Sequence, residues 1–145
     1  MVEVNFYEKV EDSLLEFAVI ISKSKGKWVF CKHRERDTYE VPGGHREPNE
    51  TILETAKREL MEETGARDFS IKPICVYSVK GKTRINKNAY DETYGMLYFA
   101  EITSFGEIRS EIEKIILSDE LVENWTYPLI QPKLIEEARK RGFVC

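Results

Sequence analysis

The chain has 145 residues, of which 41% are hydrophobic and 33% charged, and carries a net charge of −4. This length and balance suit one folded domain over residues 1–145 and exclude a chain disordered throughout. The mild acidity, with no long Lys/Arg run, argues against a nucleic-acid polymer as partner, and no apolar run is long enough to span a membrane.

Val2, Val4 and Phe6 alternate with polar residues and predict a short strand. Residues 17–21 (Phe17-Ala18-Val19-Ile20-Ile21) read as a buried strand, 22–27 as a turn and 28–31 as the returning strand of a hairpin. Tyr39-Glu40-Val41 then leads into Pro42-Gly43-Gly44, a loop signal. A helix is predicted over 51–64, with Thr51 and Glu54 as a capping box and Gly65 at the left-handed position past its end. Strands follow at 74–79 and 94–102, joined through the basic turn Lys80-Gly81-Lys82, while 112–117 is ambiguous between strand and short helix. A last helix starts near Pro132 and stops at Gly142. Strands and helices mix, so the class is α/β or α+β.

Cys31, Cys75 and Cys145 are odd in number and lack zinc-site spacing. Two core thiols and one terminal thiol are expected. The opening Met1-Val2-Glu3-Val4-Asn5 does not read as a signal peptide. A reduced, cytoplasmic protein is the expectation.

The chemistry concentrates on the helix after Gly43-Gly44. At 100° per residue, Ile52, Leu53, Ala56 and Leu60 form one apolar stripe. Glu63 falls within it, Glu59 at its edge, and Glu62 further round on the side of Glu59. Carboxylates near a helix C-terminus oppose the macrodipole by about 0.3–1 kcal/mol each, and like charges four residues apart add a few tenths more. Burying them uncompensated costs more again. Oxygen ligands on one surface suit a hard cation, Mg²⁺ or Mn²⁺. For three glutamates alone the alternative is a solvated acidic face, with Arg58 pairing to Glu54 and Glu62.

The wider pattern shifts the balance. From Gly44 the chain reads GHREPNETILETAKRELMEETGA. Gly44 is followed after five residues by Glu50, and after seven more by Arg58-Glu59-Leu60-Met61-Glu62-Glu63-Thr64-Gly65-Ala66. Seven fixed residues at roughly 7% usage each match a given start by chance about once in 10⁸. This stretch resembles the signature box of the Nudix hydrolase family, with Ala66 as a mild departure from a larger aliphatic residue. The approach from Tyr39 to Gly44 also resembles the family, although Tyr39 stands where many members carry Trp.

The resemblance implies a Nudix-type α/β/α sandwich with a mixed β-sheet. It implies metal binding by Glu59, Glu62 and Glu63, with the Gly43 carbonyl as a further ligand. Glu59 or a carboxylate elsewhere would act as base. Arg58 would orient the glutamates, Glu50 would support the loop, and Gly44 and Gly65 would serve backbone geometry. Glu111 is the candidate for an acidic catalytic residue outside the box, with Glu107 as its rival. Lys32, Arg34, Arg36 and Lys82 are candidates to contact phosphates. Tyr39, Tyr77, Phe6 and Phe17 are candidates to stack a base, with core packing as their default. His33 and His45 lack metal-ligand spacing and default to loop histidines.

The implied partner is a small-molecule nucleotide, handled by a monomer or homodimer. The leading expectation is a MutT-like nucleoside triphosphate pyrophosphohydrolase, acting on an ordinary or oxidised nucleotide. The alternatives are ADP-ribose, a dinucleoside polyphosphate or a nucleotide sugar as substrate, or a nucleotide-binding module without catalysis.

Overall fold

Strand β2 (Leu15–Ser24) organises the fold, and the computed structural model describes its surroundings over residues 2–83, 85–108, 110 and 112–145. Ala18 and Ile20 pack on one side of the sheet and Ile21 on the other, the alternation a pleated strand imposes. On one edge β2 runs parallel to β6 (Glu92–Phe105). At its end Lys25 and Gly26, both at positive φ (53° and 80°), turn the chain into β3 (Lys27–His33). The expected hairpin is present, but Ser22 and Ser24, assigned to the turn, are buried strand residues.

β2 and β3 pair only at Lys23 with Trp28 and at Ser24 with Lys27. Beyond that they separate, and the segment from Tyr39 to His45 fills the opening. Cys31 and Glu40 exchange backbone hydrogen bonds of 2.8 and 3.0 Å, and the Ile20 amide donates to the Pro42 carbonyl at 2.9 Å. Strand β4 (Gly43–His45) then pairs antiparallel with Phe17, Ala18 and Val19. Gly43-Gly44, expected as a loop, is therefore a short strand. Glycine has little strand preference of its own; pairing with β2 imposes the conformation. The missing side chain permits it, since a Cβ on Gly43 would lie 2.6 Å from the Ala18 carbonyl oxygen.

β5 (Ala66–Lys80) pairs antiparallel with β6, and both run longer than expected. β1 (Glu3–Tyr7) adds to the outer edge of β5, and the ambiguous stretch at 112–117 is strand β7 (Ile112–Ser118), antiparallel to β3. The order β1-β5-β6-β2-β3-β7, with β4 beside β2, makes a seven-stranded mixed sheet among the described residues.

Each face of the sheet carries a helix. α1 (Ile52–Thr64) sets Ala56 and Leu60 against Ala18, Ile20, Val29 and Ala100. α2 (Gln131–Lys140) sets Leu134, Ile135 and Ala138 against Ile21, Phe30 and Leu97. The α/β/α sandwich with a mixed sheet is as expected. No described helix is long and apolar enough to cross a membrane. Cys31 and Cys75 are buried thiols and Cys145 is exposed.

The predicted caps of α1 are present. Thr51 and Glu54 form the reciprocal capping box, and Gly65 closes the helix at φ 76°. Glu54, the partner of Arg58 in the alternative of a solvated acidic face, accepts from the Thr51 amide at 2.8 Å. The apolar stripe is narrower than expected: Leu53 is 38% exposed, while Thr55 and Thr64 are buried. Hydrogen bonds explain the exchange, because the Thr64 hydroxyl donates to the Leu60 carbonyl and the Thr55 hydroxyl to the Glu50 carboxylate.

Gly65 meets two constraints, its left-handed φ and a Cβ position only 2.7 Å from the Gly106 carbonyl oxygen. Gly65→Ala is expected to lower unfolding free energy by about 2 kcal/mol. Urea denaturation measures this, and an unchanged midpoint would contradict it.

Candidate active site

The C-terminal half of α1 lies beside β4, and the glycines of that strand let the two approach. The Glu63 carboxylate accepts a 2.7 Å hydrogen bond from the Gly43 amide. Its other oxygen lies 3.6 Å from His33 Nε2, which is also 3.6 Å from Glu40. Arg36 in turn donates to Glu40 at 3.1 Å. A line of contacts thus runs from Arg36 through Glu40 and His33 to Glu63. Burial pushes the Glu63 carboxyl up, against the His33 contact and the Gly43 amide. The Glu63 contact raises His33, against its own partial burial.

Glu59 sits against Gly44 so closely that a Cβ there would lie 1.6 Å from its carboxylate oxygen. No side chain fits at position 44 while Glu59 keeps this place. Burial, and then the charge of Glu63, push the Glu59 carboxyl up to about 8, with Arg58 opposing. Glu62 points outward on the same flank, about half exposed, 3.5 Å from Arg58. The three carboxylates are therefore graded from buried to open, rather than sharing one degree of burial.

Arg58 ties this cluster to the loop before the helix. It donates to Glu50 at 2.6 and 3.1 Å, to Glu59 at 3.2 Å and to the His45 carbonyl at 2.9 Å. Its guanidinium, with the Glu47 amide and the Thr55 hydroxyl, holds the Glu50 carboxyl down to about 2. Arg46, from the same loop, donates to the Glu50 and Leu15 carbonyls and to Asp12.

Among the described residues, no three Asp, Glu, His or Cys side chains already converge as a ready cation cage. Their oxygens face Arg58, His33 and the Gly43 amide instead. The chemistry of the donor set nevertheless fits a hard dication. Glu59, Glu62 and Glu63 are crowded oxygen donors, and Glu59 is raised by both of its acidic neighbours. The nearby cations Arg36 and Arg58 already face carboxylates.

Beside the cluster opens a cavity of about 380 Å³. Phe17, Val19, Val41, Tyr77, Ile130 and Leu134 supply apolar wall, and Gly43, Gly44 and His45 bring it to the carboxylates. Glu40, Thr83, Asn86 and Gln131 add polar groups. The Gln131 carbonyl oxygen is fixed by the Val41 amide at 2.9 Å. Phe17 packs against His45 with the rings tilted by 47° and their centroids 4.1 Å apart.

The other sequence candidates lie elsewhere. Arg34 and Lys82 are exposed and do not line the cavity, and Lys32 pairs with Glu113 at 3.1 Å. Tyr39 and Phe6 pack on the core near α2. Glu107 is exposed, next to Gly106, whose amide donates to the Gly65 carbonyl. Glu111 lies outside the described residues. The link from His33 and Glu40 to Glu63, and the cavity residues Thr83, Asn86, Tyr127 and Gln131, were not identified from sequence. Only the position of Glu40 just before the glycines hinted at its place.

Comparison with known proteins agrees with this fold. Residues 13–142 match the family model described as NUDIX domain. The chain is 40% identical over 108 residues to YtkD of Bacillus subtilis (strain 168), provisionally named an 8-oxo-dGTP diphosphatase. That match covers 72% of this chain and 63% of the relative, so less than two thirds of the relative's length. The crystal structure of the Bacillus subtilis pyrophosphohydrolase BsRppH is similar with a TM-score of 0.78 at 28% identity, covering 99% of this chain and 93% of that one. The NUDIX domain of Shewanella oneidensis NrtR, complexed with ADP ribose, shares the fold at TM-score 0.63 and 16% identity, covering 88% and 87%.

The Glu50–Arg58 pair sets a pH dependence. Glu50 is held near 2 in the folded chain against an ordinary 4.5, so its contribution is present above pH 4.5 and is lost as pH falls towards 2. Glu50→Gln is expected to be less stable than the wild type at neutral pH and to show a flatter decline through that window. Urea unfolding at intervals from pH 2.5 to 6 tests this, and parallel profiles for the two proteins would contradict it.

Proposed function

Because the chain belongs to the NUDIX family, we propose that it hydrolyses a phosphoanhydride bond in a nucleotide, and that its substrate is a nucleoside triphosphate, ordinary or oxidised in its base, cut to a monophosphate and pyrophosphate. One observation carries this reading: a single cavity joins an apolar, base-sized wall at Phe17 and Tyr77 to the glycines that abut Glu59 and Glu63. A nucleoside held there leaves its phosphates beside the carboxylates. The names of the YtkD and BsRppH relatives point the same way.

Glu59, Glu62 and Glu63, with the Gly43 carbonyl, would hold Mg²⁺ or Mn²⁺. When bound, such an ion neutralises phosphate charge and lowers the pKa of water. The protein's own groups do the rest. Arg58 orients Glu59, and Glu50 keeps Arg58 in place. Glu63 is fixed by the Gly43 amide and His33. Glu59, or a carboxylate outside the box, is the candidate to take the proton of the water that attacks phosphorus as pyrophosphate leaves. The apolar wall excludes competing water from the base.

A second reading keeps the chemistry and changes the leaving group. ADP-ribose is its first candidate, since the structurally similar NrtR domain holds that ligand.

A panel of nucleoside triphosphates (8-oxo-dGTP included), ADP-ribose, a dinucleoside polyphosphate and a nucleotide sugar, with Mg²⁺ and product analysis, separates the two. Monophosphate and pyrophosphate from a triphosphate is the expected result. Preferential turnover of another class would displace it, and binding without any turnover would favour a non-catalytic module.

Glu62→Gln and Glu63→Gln are each expected to cut turnover about 100-fold or more while circular dichroism stays that of the folded protein. EDTA is expected to abolish activity. Turnover like that of the wild type in either variant would sink the metal assignment.

A further inference from the structure

The connection from β5 to β6, residues 81–91, is more than the basic turn its Lys80-Gly81-Lys82 start suggests. Asn86 is 3% exposed although Lys82, Ile85, Lys87 and Asn88 around it are exposed. Its side chain crosses the base of the loop. Nδ2 donates to the Val79 carbonyl at 2.9 Å and to the Asp91 carbonyl at 3.1 Å, and Oδ1 accepts from the Thr93 hydroxyl. One amide thus joins the end of β5 to the entry of β6, with both donors and its acceptor in use.

The tip is braced as well. The Thr83 hydroxyl accepts from the Ile85 and Asn86 amides, the Thr83 amide donates to the Asn86 carbonyl, and Asp91 accepts from the Lys87 and Asn88 amides. These hydrogen bonds still leave Ile85 49% exposed, at the cavity that Phe17, Tyr77 and Val79 also line. A half-exposed Ile on a braced loop gains burial only when something apolar fills the space beside it.

We propose that residues 81–83 and 85–91 form a pre-formed wall of the ligand cavity, in which Ile85 packs on the bound nucleoside and Asn86 is the positioning residue that holds Ile85 there. The proposal rests on reading this cavity as the nucleoside site, and it assigns substrate affinity to residues outside the box.

The test is calorimetric titration of GMP and AMP, and separately of pyrophosphate, in Mg²⁺, into the wild type, Ile85→Ser, Ile85→Val and Asn86→Ala. Ile85→Ser and Asn86→Ala are expected to weaken monophosphate binding about tenfold, the loss of roughly half an Ile side chain of burial. Pyrophosphate, which has no nucleoside, is expected to bind all four proteins within about twofold. Ile85→Val is expected to restore most of the loss. Hydrogen exchange is expected to show the Ile85 and Asn86 amides losing protection in Asn86→Ala while β5 and β6 keep theirs. Because Ile85 contributes no side-chain hydrogen bond, Ile85→Ser tests the wall even if Asn86→Ala unfolds. Undiminished monophosphate affinity in Ile85→Ser, equal weakening of both ligands, or a wild type that binds no monophosphate would overturn the proposal. These binding losses in a protein that turns over no triphosphate would uphold the wall and overturn the hydrolytic reading instead.

Discussion

The site depends on one close approach, that of the α1 carboxylates to the two glycines of β4. Glu63 receives the Gly43 amide and Glu59 occupies the volume a side chain at position 44 would need. Both contacts require β4 to lie flat against β2, and β4 lies there because β2 and β3 part after two residue pairs. The short hairpin, the inserted strand and the placement of the carboxylates form one dependency.

That approach brings like charges together in partly dry surroundings, which is unfavourable in itself. The protein meets it from two sides. Arg58 shares its donors between Glu50 and Glu59, and His33 stands between Glu40 and Glu63. Compensation is incomplete, since Glu59 remains raised to about 8.

The α1 segment was legible in the sequence because its signals are local. Thr51, Glu54 and Gly65 act within a turn of the helix ends, and the box residues from Gly44 to Gly65 are fixed by spacing. Strand β4 was not legible, because two glycines carry no strand preference and take their state from a partner more than twenty residues away. The cavity was hidden for a related reason. Phe17, Tyr77, Asn86 and Gln131 meet only through the sheet order, which no periodicity encodes. Arg34 and Lys82 are candidates by charge alone, and the fold turns both to solvent.

The parallel pairing of β2 with β6 has a consequence in time. Residues as far apart as Val19 and Leu97 must meet before the sheet is whole, and such distant closures are slow relative to helices and tight turns. The cavity needs strands and loops from Phe17 to Leu134, and the carboxylate cluster, though its side chains span only His33 to Glu63, is placed by β4 pairing with β2 and by α1 packing on Ala18, Ile20 and Ala100. Neither the charged half nor the apolar half is complete until β2 has its partners on both sides, so the two halves of the site form together.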